Sequence, residues 1–238
     1  ELGHEAMQNG QIDQALDFFQ KAILANSLLP QSHYNVGVCY MQRGQYNLAL
    51  TNYKKALSLS PDNTVILTNI GVTYDKMDNK AFALKYYKKA VKVDPTNIFA
   101  LSSIGAIYIN SNPRKAIEYL EKAIKINPNL PDAHFNLGIC QSNMGKTKEA
   151  IAHFEKTIKL DPYYSPTYGH LHFQYRKNCD WEKAKELFKT VENVNKNNIR
   201  DGVLPAQTVF ESVVFNDNLK TNFDIARIWS RYINNQAI

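Results

Sequence analysis

The sequence predicts an all-α protein: a right-handed superhelical solenoid of about six helix pairs, closed by C-terminal capping helices. Three observations predict it. Gly3, Gly37, Gly71 and Gly105 stand 34 residues apart, and Gly138 follows 33 later. Pro61, Pro95, Pro128 and Pro162 keep the same period. Between them an alanine, followed four residues on by a large side chain, returns as Ala15/Phe19, Ala49/Tyr53, Ala83/Tyr87, Ala116/Leu120, Ala150/Phe154 and Ala184/Phe188. A fixed period of this length marks stacked repeats, because one helix pair cannot bury its apolar face alone.

Each slot has a packing reason. A small residue on the first helix of a pair lets the second approach, an alanine on the second receives it, and the large side chain fills the space beside them. Proline then stops the second helix, since it cannot continue the hydrogen-bond ladder. The units run over roughly 1–29, 30–63, 64–97, 98–130 and 131–164, with a degenerate sixth over 165–198. The fourth loses one residue at Ser111-Asn112-Pro113. In the sixth, His172 takes the glycine's place while Leu171, Tyr175, Ala184 and Phe188 keep the register. From Ile199 the period stops. Asp201-Gly202 breaks the chain, Pro205 opens a short helix to about Val214, and Leu219, Phe223, Ala226, Trp229 and Ile233 mark a longer one. Residues 199–238 therefore read as a helical cap or linker.

Composition removes several function classes. Hydrophobic residues make up 44% of the 238, enough for a continuous core. No apolar run reaches the eighteen or so residues that a membrane helix needs. The three cysteines, Cys39, Cys140 and Cys179, are far apart and form no CxxC pair. With no Asn-x-Ser/Thr acceptor and no signal peptide, a cytoplasmic or nucleocytoplasmic address is expected. The chain opens at Glu1, already inside a helical pattern, and is expected to be part of a longer protein. Its net charge of +6 comes from lysines mixed with glutamates. That reads as solvated helix faces and argues against a nucleic-acid footprint, which wants a concentrated stripe.

Nothing reads as catalytic. There is no phosphate loop, dinucleotide fingerprint or His-Glu-x-x-His motif, so no cofactor and no metal site is assigned. Cys39 and Cys140 share a packing slot with Thr73 and Ile107, which predicts buried thiols. His33 and His134 share a core-edge slot with Leu67, Leu101 and Tyr168. His170 and His172, two apart, face different sides of a helix.

These marks resemble the tetratricopeptide repeat pattern of apolar-Gly-x-x-Tyr, then Ala-x-x-x-Phe, then Pro. Val36-Gly37-x-x-Tyr40, Ile70-Gly71-x-x-Tyr74 and Ile104-Gly105-x-x-Tyr108 carry its first part, while Leu137-Gly138 is followed by Gln141 in place of tyrosine. The resemblance implies that the first helix of each pair lines a concave groove for a protein or peptide ligand. Two residues before the glycine stand Asn35, Asn69, Ser103, Asn136 and His170. Amides there offer a donor and an acceptor to the backbone of an extended peptide. With Tyr34, Asp75 and Asn143 they form the candidate peptide-binding set. Gln31, Gln42, Thr68, Lys76, Ser102, Asn110, Asp132 and Ser142 add to a polar, mostly uncharged lining. A clamp for a C-terminal carboxylate would need asparagine one residue after the glycine. Val38, Val72, Ala106, Ile139 and Phe173 stand there instead.

A second resemblance concerns the end of the chain. Asn178-Cys179-Asp180-Trp181, then Leu204-Pro205, Phe210, Asp217 and Ala226-Arg227-x-Trp229, resemble the junction between repeats and catalytic domain in the O-GlcNAc transferase and SPINDLY glycosyltransferase family. It implies a substrate-recruiting array from a nucleotide-sugar-dependent transferase acting on intracellular proteins, whose catalytic residues would lie in a domain at or past Ile238. A free-standing adaptor that scaffolds a complex, or self-associates as a homo-oligomer, is the alternative left open.

Overall fold

Prolines and asparagines set where several of the helices begin. In the computed structural model, which describes residues 2–164, 166–187 and Thr190, the helices are α1 (Leu2–Gln8), α2 (Ile12–Ala25), α3 (Pro30–Gln42), α4 (Tyr46–Leu59), α5 (Thr64–Lys76), α6 (Lys80–Val93), α7 (Ile98–Tyr108), α8 (Pro113–Ile126), α9 (Pro131–Asn143), α10 (Thr147–Leu160) and α11 (Pro166–Lys177). Residues 181–187 are helical too. Pro30, Pro113 and Pro131 open their helices at the first turn, where a missing N–H costs nothing. Asn63, Asn79 and Asn112 cap α5, α6 and α8 by accepting the N–H of Ile66, Phe82 and Lys115. The capping segment expected over 199–238 lies outside the described residues.

Two turns repeat along the chain. Inside a pair, the linking turn places one residue in the left-handed region everywhere except between α7 and α8, where the fourth unit is one residue shorter. Gly10, Gly44 and Gly145 supply it with φ of 72°, 69° and 74°, whereas Asp78 and Cys179 hold it at 55° and 60° despite their Cβ atoms. Between pairs, the side chains of Asn26, Asp94, Asn127 and Asp161 each accept the backbone N–H two residues on, at 2.9–3.0 Å. The period prolines 61, 95, 128 and 162 sit in these turns, just past the helix end.

Residues 1–107 form one compact unit and the chain from Tyr108 a second. In the first, α1 packs on α2, α2 on α3, and so on to α6; in the second, α8 packs on α9, α9 on α10, and α10 on α11. The core of both is the glycine contact. The ring of Tyr87 lies so close to Gly71 that an added Cβ would stand 2.6 Å from it, and Phe154 leaves 2.5 Å at Gly138. The large side chain thus sits on the glycine itself, a tighter arrangement than filling space beside it. Ala49, Ala83, Ala116 and Ala150 are fully buried. Cys39 and Cys140 are buried as expected of their slot.

Candidate functional site

The face made by the first helices differs between the two units. In the first, Asn35 on α3 is only 5% exposed. Its Oδ1 accepts from Gln31 Nε2 at 3.0 Å, and its Nδ2 lies 3.1 Å from His4 Nε2 on α1. Both ends of this amide are engaged within the chain. Asn69 on α5 is half-buried, and its Nδ2 donates to the Val65 carbonyl at 2.9 Å and reaches the Tyr34 hydroxyl at 3.3 Å. Its Oδ1 accepts no hydrogen bond among the described residues. Burial pushes the Tyr34 phenol up, and the bond from Asn69 partly reverses this. Ser103 on α7 bonds to the Tyr87 hydroxyl, whose pKa burial has pushed up to about 12. Asp75 is neutralised by Lys80 at 2.8 Å.

Beside Asn69 lies a cavity of about 280 Å³ lined by Val65, Thr68, Asn69, Val72, Asn97 and Phe99. Val65 and Phe99 are 53% and 55% exposed, unusual for apolar side chains of their size. They hold the same repeat slot, filled by Gln31 and Asp132 elsewhere. The polar inventory of that slot missed them, although the sequence signal was present: two apolar residues in successive repeats where others are polar.

In the second unit, Asn136 on α9 is half-buried and carries no hydrogen bond among the described residues. Asn143, at the end of the same helix, is exposed. His170 on α11 is also exposed, with its ring edge-on to Phe135 at 5.5 Å and stacked on Phe154 at 5.6 Å. It therefore differs from the amides of its slot, joining an aromatic cluster. Ser142 accepts from Gln174 Nε2 at 2.7 Å, and Asp132 accepts from the Tyr164 hydroxyl at 2.6 Å. Burial, with that carboxylate, pushes the Tyr164 phenol well above its ordinary range. Phe173, in the slot after the glycine position, stands exposed.

The remaining reactive groups lie apart from these faces. Burial pushes the Cys140 thiol up to about 11, so it is protonated and inert at neutral pH. Cys179 is exposed on its turn. Glu155 accepts from the Tyr175 hydroxyl at 2.6 Å. Among the described residues, no helix is long and apolar enough to cross a membrane, and no three His, Cys, Asp or Glu gather into a metal cluster.

The arrangement can be compared with known proteins. Family models described as tetratricopeptide repeat match residues 30–63, 65–97 and 131–164, and another of that description matches 1–27. A further model, described as TPR repeat, matches 114–145. No curated protein matches the chain. Among solved structures, MamA is similar at 27% identity with a TM-score of 0.65, over 69% of this chain and 97% of that one. YrrB, described as a TPR protein with an unusual peptide-binding site, is similar at 24% identity with a TM-score of 0.62, over 74% and 91%. The C-terminal part of a TPR repeat-containing protein from Cytophaga hutchinsonii reaches a TM-score of 0.68 at 19% identity, over 96% and 92%. The last two likenesses show the fold alone.

Proposed function

Because the chain belongs to the tetratricopeptide repeat family, we propose that it is a protein-interaction scaffold whose first-helix faces hold extended polypeptide. One observation carries the reading. Asn136, and the Oδ1 of Asn69, offer hydrogen-bonding capacity that the fold itself does not use, and Asn69 does so at the edge of the cavity formed by Val65, Val72 and Phe99. Backbone groups of a ligand satisfy such amides, each bond contributing about 0.5–1.5 kcal/mol net. Many modest bonds give broad recognition and weak individual contacts. Asn35 is assigned to the scaffold, since both its ends are engaged. The test is binding of unstructured peptides to the Asn136→Ala variant, which removes an amide that the described residues leave unbonded, alongside its melting temperature. Weakened binding at near-unchanged Tm supports the reading; unchanged binding removes it.

At a finer level, the array is the substrate-recruiting part of an O-GlcNAc transferase or SPINDLY-like glycosyltransferase. Its support is the sequence resemblance over 178–181 and 204–229. Only the first of these stretches is described, and there Cys179 holds the left-handed slot of its turn. A reading frame that continues past Ile238 into several hundred residues of alternating strand and helix pattern supports it, and glycosyl transfer by the full-length protein decides it. The rival is an adaptor acting through repeats alone, favoured by the match to MamA, which spans 97% of that chain. An intracellular address belongs to both readings, and cell fractionation tests it.

A further inference from the structure

The fifth repeat, α9 with α10, departs from its siblings where its two helices meet. His134 on α9 and His153 on α10 put their Nδ1 atoms 3.2 Å apart, with ring centroids 5.5 Å apart. By register the same pair of slots holds Leu67 and Tyr86 in the third repeat, Leu101 and Tyr119 in the fourth, and Tyr168 and Leu187 in the sixth. In the sixth the two pack as a plain apolar contact. In the second repeat the two are His33 and Asn52, so the slots accept a polar pair as well as an aliphatic with an aromatic. The fifth repeat alone brings two imidazoles together.

Three features make this pair more than a tolerated polar contact. His134 is 8% exposed, and its Nε2 lies 3.0 Å from the Pro128 carbonyl. A carbonyl only accepts, so Nε2 carries the proton and the Nδ1 lone pair is left facing His153. His33 and Tyr168 make the equivalent bond to the Ser27 and Pro162 carbonyls, so it belongs to the repeat; in the fifth repeat it orients the ring as an outer-shell bond orients a metal-ligating histidine. The spacing fits as well. Two nitrogens bound at about 2.0–2.1 Å to one tetrahedral ion stand roughly 3.3 Å apart. Finally, His153 is half-buried, so one side of the pair opens to solvent, where water can complete the coordination.

We propose that His134 and His153 form a two-histidine site for a borderline divalent transition ion, zinc or copper(II), that pins α9 to α10. Imidazole nitrogen suits these ions better than magnesium or calcium, which want oxygen. The ion keeps two or more positions for water or for a ligand side chain. The inference does not depend on the peptide-binding reading.

The test uses the whole chain and the metal alone, after chelation and desalting. Zinc at millimolar concentration is expected to raise Tm by about 2–8 °C. Copper(II) is expected to bind one to one, with an electron paramagnetic resonance signal split by two imidazole nitrogens. The decisive variant is H134L/H153Y, which restores the pair found in the third and fourth repeats and so keeps the fold. Loss of both effects in that variant, with both retained in H170A/H172A, establishes the site. No metal-induced shift in the wild type overturns the proposal and leaves a hydrogen-bonded pair only. Equal binding by H134L/H153Y also overturns it, placing the ion elsewhere.

Discussion

The two units place the same residue type in the same repeat slot and use it differently. In the first unit, the amides of Asn35 and Asn69 reach back one repeat, to His4 and Tyr34, and tie first helix to first helix. In the second, Asn136 ties nothing among the described residues, and α9 is joined to α11 by Ser142 and Gln174, and by Phe135 against His170. A slot is therefore not a role. Whether an amide is free for a ligand depends on what the preceding repeat presents to it.

The largest effect should strike both units alike. Gly71→Ala and Gly138→Ala each force a Cβ to within 2.5–2.6 Å of a ring. Each should lose about 2–4 kcal/mol in urea denaturation; a much smaller loss in one would mean that its ring is free to retreat. Next comes a difference within that contact. Tyr87 is buried with its pKa pushed up to about 12, whereas its counterpart is Phe154. A raised folded-state pKa contributes stability below pH 10 that is lost as pH rises from 10 towards 12. That loss should reach about 2–3 kcal/mol at high pH. Tyr87→Phe should shallow the alkaline limb of the stability profile, and an identical limb would show the hydroxyl to be unimportant.

The amides themselves should separate more finely. Asn35→Ala strands His4 and Gln31 and is expected to cost about 1–2 kcal/mol with peptide binding unchanged. Asn136→Ala should leave stability within about 0.5 kcal/mol and weaken peptide binding roughly 2- to 10-fold. Calorimetric titration beside thermal melts reads both, and reversal of the two patterns would invert the comparison. Smallest is the turn: Asp78→Gly relieves a left-handed residue at φ 55° and should add about 0.5–1 kcal/mol.

The period alone located the helix pairs, because the packing of Gly71 on Tyr87 and Gly138 on Phe154 demands it. The burial of Cys39 and Cys140 followed from slot equivalence for the same reason. The site was less legible. A slot says which helix face a residue occupies, but not which neighbour 31 or 35 positions away claims its hydrogen bonds. That is why Asn35 and Asn69 on one side and Asn136 on the other, alike in sequence, part company in the structure. The pairing of His134 with His153 was hidden too, since each residue was read against its own slot on its own helix. The interpair turns at Asp94, Asn127 and Asp161 were legible, because each Asp or Asn stands directly before a period proline and its side chain closes the turn.

Within each unit, the principal packing joins helices that follow one another in the chain. Such a molecule needs little long-range loop closure before native contacts form, so it should fold quickly and can start from any adjacent pair. The same economy of wiring means that strain applied at one end need not melt the middle. Helices would peel away in order, and amide hydrogen exchange should fall in steps from the edges of a unit to its interior.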